Sequence, residues 1–195
     1  TGNAHEVSGN GNNGILFGGP SFTSDRFGSS NAALILNGSS QYADLDSAAR
    51  LGTLSNYTLS LWVINSGTNA PILSKQTVDR GTNGQAEFDL GFNDYNQLNF
   101  FIGDNSATDN TLVSVTVYSQ PFSTWTHVVA SYDGDSAKVF IDGVEKAAQK
   151  KSGAGSQPHG SLPIQLGRFQ NSNPQSWTSF LNGKVDDVCI YNTAL

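Results

Sequence analysis

Two carboxylates, Glu87 and Asp89, stand two residues apart in a stretch that reads as a β-strand. Side chains alternate along a strand, so the spacing predicts that both point to one face. A pair on one face can serve glycoside hydrolysis, where a retaining enzyme needs two carboxyl groups about 5–5.5 Å apart. It can also accept hydrogen bonds from sugar hydroxyls, or simply be solvated. The aromatic residues offer a second kind of chemistry. Trp177 lies in the polar run Gln170 to Trp177, and Tyr95 lies in Asn93-Asp94-Tyr95-Asn96-Gln97. An aromatic ring in an amide-rich loop is a platform for the apolar face of a sugar, unless it packs back on its own loop. Phe101 and Tyr118 are candidates to extend such a face. Trp62 and Trp125 sit in strand motifs and are expected in the core.

Other chemistries find little support. His5, His127 and His159 are scattered, and His127 reads as a packed strand histidine. There is no nucleophile elbow, no zinc spacing and no phosphate-binding glycine loop. Cys189 lies between Val188 and Ile190 and reads as a buried structural thiol. The net charge of -6, from 10 basic and 16 acidic residues, argues against nucleic acid, which requires a basic footprint. No apolar run approaches the length needed to span a membrane, so membrane insertion is not expected. Asn, Ser, Gly and Thr make the surface polar through amides and hydroxyls more than through ions.

These candidates must be held by strands. Tyr57 to Val63, Phe88 to Phe92, Leu112 to Val117, Thr126 to Tyr132, Lys138 to Asp142 and Lys184 to Tyr191 alternate with a period of two. Shorter runs at Leu34 to Leu36, Tyr42 to Leu45, Ile72 to Ser74, Leu98 to Ile102 and Ile164 to Leu166 bring the total to roughly twelve strands, the pattern of a β-sandwich. Asp142-Gly143 predicts a type I′ hairpin turn. Only Ser47 to Leu51 hints at a helix, one turn long. The Gly/Ser/Pro-rich stretch Ser152 to Leu162 reads as a surface loop, not a linker, so residues 1–195 are expected to form one domain. The 195 residues contain no Met, which implies a processed or excised chain, a domain taken from a larger protein with covalently linked neighbouring domains.

Several stretches together resemble the laminin G-like, concanavalin A-like jelly-roll family in its bacterial form. They begin with Ser8-Gly9-Asn10-Gly11-Asn12-Asn13-Gly14, Arg26-Phe27-Gly28 and Leu34-Ile35-Leu36-Asn37-Gly38. The most specific are Trp125 to Gly134, running into Lys138 to Gly143, and the close from Phe180 to Leu195. The resemblance implies an all-β, two-sheet antiparallel jelly roll. It also implies a structural Ca²⁺ near the junction of the termini, with ligands falling at Glu6 and Asn10 in the opening turn and at Asp186 and Asp187 in the closing strand. Asp186 shares strand parity with Val188 and Ile190, which points it inward; a buried carboxylate then needs a metal or hydrogen bonds. Glu6 departs from the Asp more usual there. The family's glycosidases carry Glu-x-Asp-x-x-Glu, and here Phe92 replaces the third carboxylate.

The expectation is therefore a secreted or cell-surface module without catalytic activity. It binds a polysaccharide or other glycan through Trp177, Tyr95, Glu87 and Asp89, and is braced by calcium. The alternatives are a structural spacer or protein-binding adhesin domain and, third, a polysaccharide-degrading enzyme.

Overall fold

The computed structural model describes residues 3–45, 55–76, 86–104, 111–117, 122–152, 155–157, 163–169 and 179–195. The helix hint at Ser47 to Leu51, Tyr118, His159 and Trp177 all lie outside the described residues. In chain order the strands are β1 (Ile15–Phe17), β2 (Ser21–Thr23), β3 (Ala33–Asn37), β4 (Tyr42–Asp44) and β5 (Tyr57–Asn65). Next come β6 (Ala70–Gln76), β7 (Ala86–Phe92), β8 (Leu98–Gly103), β9 (Thr111–Val117), β10 (Thr126–Tyr132) and β11 (Ser136–Ile141). The chain continues through β12 (Val144–Lys150), β13 (Ile164–Leu166), β14 (Arg168–Phe169), β15 (Ser179–Phe180) and β16 (Asn182–Tyr191).

Two antiparallel sheets of seven strands face each other. Sheet A has the order β1-β4-β13-β6-β7-β8-β9, sheet B the order β12-β11-β10-β5-β16-β3-β2, and β14 pairs with β15 in a separate ribbon. This is the expected jelly-roll sandwich. Among the described residues no helix is long and apolar enough to cross a membrane.

The period-two pattern explains the layers. Leu59, Leu61 and Val63 of β5 are fully buried, as are Val128 and Ala130 of β10 and Leu90 and Phe100 of sheet A. Each of the Leu, Val and Phe side chains contributes about 1.5–3 kcal/mol on burial. Asp142 and Gly143 have φ of 51° and 78°, so both adopt the left-handed conformation that a type I′ turn between β11 and β12 requires.

Two bulges change which way the candidate residues point. In β7, Lys75 pairs with Phe88 and Gln76 with Ala86, which leaves Glu87 as the extra residue. In β16 the register with β5 shifts between Asp186 and Cys189, and Asp187 has φ of 45°. Val185 pairs with Val63 on the core side, so Asp186, paired with Trp62, faces outward. The inward orientation expected for Asp186 is thus not found: the bulge breaks the parity that linked it to Val188 and Ile190. Cys189, paired with Ser60, is likewise half-buried on the outer face of sheet B instead of in the core. Trp62 belongs to that outer face too. It shares parity with Ser60, while Leu59, Leu61 and Val63 fill the interior.

Candidate functional site

The outer face of sheet A carries a row of registered residues. Asp44 pairs with Gln165, Gln165 with Ser74, Ser74 with Asp89, Asp89 with Phe101, and Phe101 with Ser114. A second row runs through Pro71, Gly91, Asn99 and Thr116. Above the junction of these rows lies a cleft of about 200 Å³, lined by Asn69, Pro71, Asp89, Gly91, Phe92, Asn93, Asn99, Phe169 and Ser179. Asn99 donates from Nδ2 to Ser114 Oγ (3.0 Å) and Thr116 Oγ1 (2.8 Å), which fixes its amide.

The loop after β7 closes one end of the cleft. Asn93 Oδ1 accepts from the peptide N–H groups of Tyr95 (3.0 Å) and Gln97 (2.9 Å), and Asn96 takes φ of 58°. This Asx turn holds Tyr95 at its tip, where the residue is 83% exposed. The ring therefore stands in solvent and does not fold back on its loop.

The ribbon of β14 and β15 supplies the wall beside β6, with Phe169 and Ser179 on the cleft. Ser74 Oγ donates to the Arg168 carbonyl at 2.7 Å and ties the ribbon to the sheet. On the far side of the ribbon the Arg168 guanidinium lies 4.4 Å over the Tyr42 ring. Phe17 stacks on Tyr42 with centroids 4.7 Å apart and planes 7° apart. Gln165 Nε2 donates to Asp44 Oδ1 at 3.1 Å. Burial pushes the Asp44 carboxyl up, while Gln165 and Arg168 hold it back.

Glu87 and Asp89, expected on one face, are separated. Asp89 lines the cleft. Glu87 enters the sandwich, where Lys75 Nζ meets its Oε2 at 2.7 Å, each side chain 1% exposed. Gln157 Nε2 bridges the Tyr57 hydroxyl (3.3 Å) and the Glu87 carbonyl (3.2 Å). Burial, with the Glu87 charge beside it, pushes the Tyr57 phenol well above its usual range. The β7 bulge is the cause. Glu87 is therefore unavailable to a ligand on the outer face, and among the described residues lining the cleft Asp89 is the one titratable group. Trp177 lies outside the described residues.

The calcium ligands implied by the resemblance are also divided. Arg26 grips both closing-strand carboxylates, Asp186 Oδ2 at 2.9 Å and Asp187 Oδ2 at 2.7 Å. Its guanidinium lies 4.3 Å over the Phe27 ring and 4.8 Å over the Trp62 ring. Trp62 in turn stacks on His127 at 5.0 Å, and His127 Nε2 meets Ser60 Oγ at 3.0 Å. His127 is thus a packed strand histidine. Burial and the adjacent Asp187 charge push the Asp186 carboxyl up, against the Asp187 N–H and Arg26, which hold it down. A guanidinium occupies the charge-compensating position, so Asp186 and Asp187 as arranged do not fit a cation. The opening turn fits better. Glu6 Oε2 accepts the Asn12 N–H at 3.1 Å, and Glu6 N–H donates to Asn13 Oδ1 at 3.1 Å. Glu6 Oε1 and Asn12 Oδ1 are shielded from solvent without a well-formed hydrogen bond, and carboxylate and amide oxygens are the donors Ca²⁺ takes. The Ser8 side chain, with loop N–H groups, holds the Glu6 carboxyl down at about 2, ionised for such a role. Asn10 Nδ2 donates to Ser8 Oγ at 2.6 Å. Among the described residues no three His, Cys, Asp or Glu side chains cluster as a metal site.

With this geometry in hand, the sequence comparison decides the family. Residues 37–195 match the Concanavalin A-like lectin/glucanases superfamily, laminin G type. The chain belongs to that superfamily. No curated protein sequence matches it. Solved structures similar to this superfamily member share its fold at low identity. Domain 4 of AbnA, an extracellular GH43 arabinanase from Geobacillus stearothermophilus solved with arabinotriose, is 20% identical with a TM-score of 0.64, over 99% of this chain and 88% of that one. A botulinum neurotoxin type C structure, described with cell entry dependent on two ganglioside molecules, is 13% identical with a TM-score of 0.64, over 97% of this chain and 45% of that one. A Trypanosoma rangeli sialidase mutant with trans-sialidase activity is 16% identical with a TM-score of 0.63, over 100% of this chain and 31% of that one. These likenesses establish a lectin-like β-sandwich.

Proposed function

We propose that this chain is a non-catalytic glycan-binding module, secreted or displayed at a cell surface and linked to neighbouring domains of a larger protein. It binds on the outer face of sheet A. The observation that carries the reading is the cleft itself: one carboxylate, Asp89, and the amides of Asn69, Asn93 and Asn99 converge beside Phe169, with Tyr95 exposed at the adjoining turn. Carboxylate and amide groups suit hydroxyls, and an aromatic face suits the apolar side of a sugar ring. The neighbour solved with arabinotriose supports the ligand class. Among the described residues lining the cleft Asp89 is the single carboxylate, which supports binding over two-carboxylate hydrolysis.

The test is a glycan array followed by calorimetric titration of the best ligand. Asp89→Asn should weaken binding about tenfold to a hundredfold, since a hydrogen bond to a charged group contributes ~1.5–3 kcal/mol. Tyr95→Ala should weaken it about threefold to tenfold, the range of ~0.5–1.5 kcal/mol for an aromatic contact. Melting temperatures of both variants should stay near that of the parent. A chain that binds no array glycan would sink the reading and favour a spacer or protein-binding domain.

Calcium enters the same reading as a brace at the opening turn, through Glu6 and Asn12. A ligand at 100 times its Kd adds ~2.7 kcal/mol to stability. Removing calcium with a chelator should therefore lower the melting temperature by about 5–10 °C in a chain of this size, and Glu6→Gln should abolish the difference. An unchanged melting curve would count against the site.

A further inference from the structure

Resting on the glycan-binding reading, we propose that the cleft takes the terminal unit of the glycan chain, which ends against the β14–β15 ribbon instead of passing through. The shape of the cleft carries this. Its floor is backbone: a Cβ on Gly91 would lie 2.8 Å from Pro71 Cα and 2.9 Å from the Ala70 carbonyl oxygen, so no side chain can rise there. On the β6 side the floor is stopped by Phe169 and Ser179 of the ribbon, fastened by the bond from Ser74 to the Arg168 carbonyl. At the strand end it is stopped by Asn69 and Asn93, themselves joined by a peptide hydrogen bond from Asn69 N–H to the Asn93 carbonyl at 3.1 Å. Among the described residues none lines the cleft beyond Asn99 towards β9, where Ser114 is exposed and Thr116 half-exposed. Polar groups continue along that exit and neither Ser114 nor Thr116 lines the cleft. The volume of about 200 Å³ is of the same order as the ~150 Å³ cavity that admits one benzene ring, the scale of a single sugar ring. A chain entering from β9 therefore places one end unit over Gly91, between Asp89 and Asn93, and leaves the rest over Asn99, Ser114 and Thr116.

The experiment counts protein molecules per glycan chain. Size-fractionated ladders of linear arabinan, xylan, mannan and β-glucan are titrated calorimetrically with the full 195-residue chain. For whichever ladder binds, the expected molar ratio stays at about one protein per chain as length grows. Converting the reducing end to the open-chain alditol, or blocking the hydroxyls of the non-reducing end unit, should change affinity at least tenfold at one of the two ends. A ratio that rises in proportion to chain length, or affinity unmoved by altering either end, overturns terminal recognition while leaving glycan binding intact. Binding to none of the ladders and to no array glycan overturns the underlying reading, and this inference with it. A second variant makes the geometry answerable: Ser179→Trp should fill the cleft and lower affinity at least tenfold at an unchanged melting temperature. Retained affinity in that variant would place the ligand elsewhere.

Discussion

Lys75→Met will cost this protein about 3–5 kcal/mol of stability, the largest loss expected from any single substitution considered. Lys75 and Glu87 are buried to the same degree and meet at 2.7 Å. Removing one member of a buried pair takes away the countercharge of the other, and that penalty has the stated size. In a chain of this length each kcal/mol shifts the melting temperature by about 2–4 °C, so the drop should be near 10 °C. The double variant Lys75→Met, Glu87→Leu removes both charges and should recover part of the loss, because an apolar pair of similar volume is often as stable as a buried ion pair. A double-mutant cycle on denaturant unfolding would then give a coupling energy above ~1 kcal/mol. A single-variant loss below 1 kcal/mol would mean that water reaches the pair. Glycan binding by the folded variant should be unchanged, since the pair lies inside the sandwich and Asp89 outside it.

Arg26→Ala is the second large loss, at about 2–4 kcal/mol. It leaves the nearly buried Asp186 carboxylate beside Asp187 with no cation, and it removes the guanidinium from between the Phe27 and Trp62 rings. The pH dependence has a definite sign. Burial and Asp187 already raise the Asp186 carboxyl, and loss of Arg26 raises it further. The folded variant then holds that proton more tightly than the unfolded chain, whose carboxyl titrates near ~3.9. Stability therefore falls as pH rises through the folded value, and the deficit against the parent shrinks on acidification towards pH ~4. Thermal melts of parent and variant at several pH values check this. A deficit that grows on acidification would contradict the assignment, and full rescue by calcium would reassign Asp186 and Asp187 as metal ligands.

Alternation made the layers legible in the sequence. Leu59, Leu61 and Val63 announce the core face of β5, and the same parity places Ser60 and Trp62 outside, although the strand motif around Trp62 suggests the core. Asp142-Gly143 announces its turn because both residues tolerate positive φ. The bulges were not legible. A two-residue spacing promised that Glu87 and Asp89 share a face, and one extra residue opposite Lys75 and Gln76 sends Glu87 inward. Parity likewise promised an inward Asp186, and the left-handed Asp187 turns it out. A bulge depends on pairing with a distant strand, so local periodicity cannot report it. A signal did exist for each. Lys75 shares strand parity with the core residue Leu73, and a buried lysine calls for an anion, while the adjacent Asp186-Asp187 pair calls for a cation, which Arg26 supplies from 160 positions away. The cleft was half legible: Asp89 and Tyr95 stood out by type, whereas Asn99, Gly91 and Phe169 matter only through register and the placement of the ribbon.

Amide chemical-shift mapping shows directly whether ligand meets the outer face of sheet A. The full chain, labelled with ¹⁵N, is titrated with the strongest ligand from the array. The largest shifts should fall on Asp89, Gly91, Asn93, Tyr95 and Asn99, with Ser60, Trp62 and His127 on the outer face of sheet B unmoved. Shifts concentrated on Ser60, Trp62 and His127, with the cleft residues silent, would contradict it.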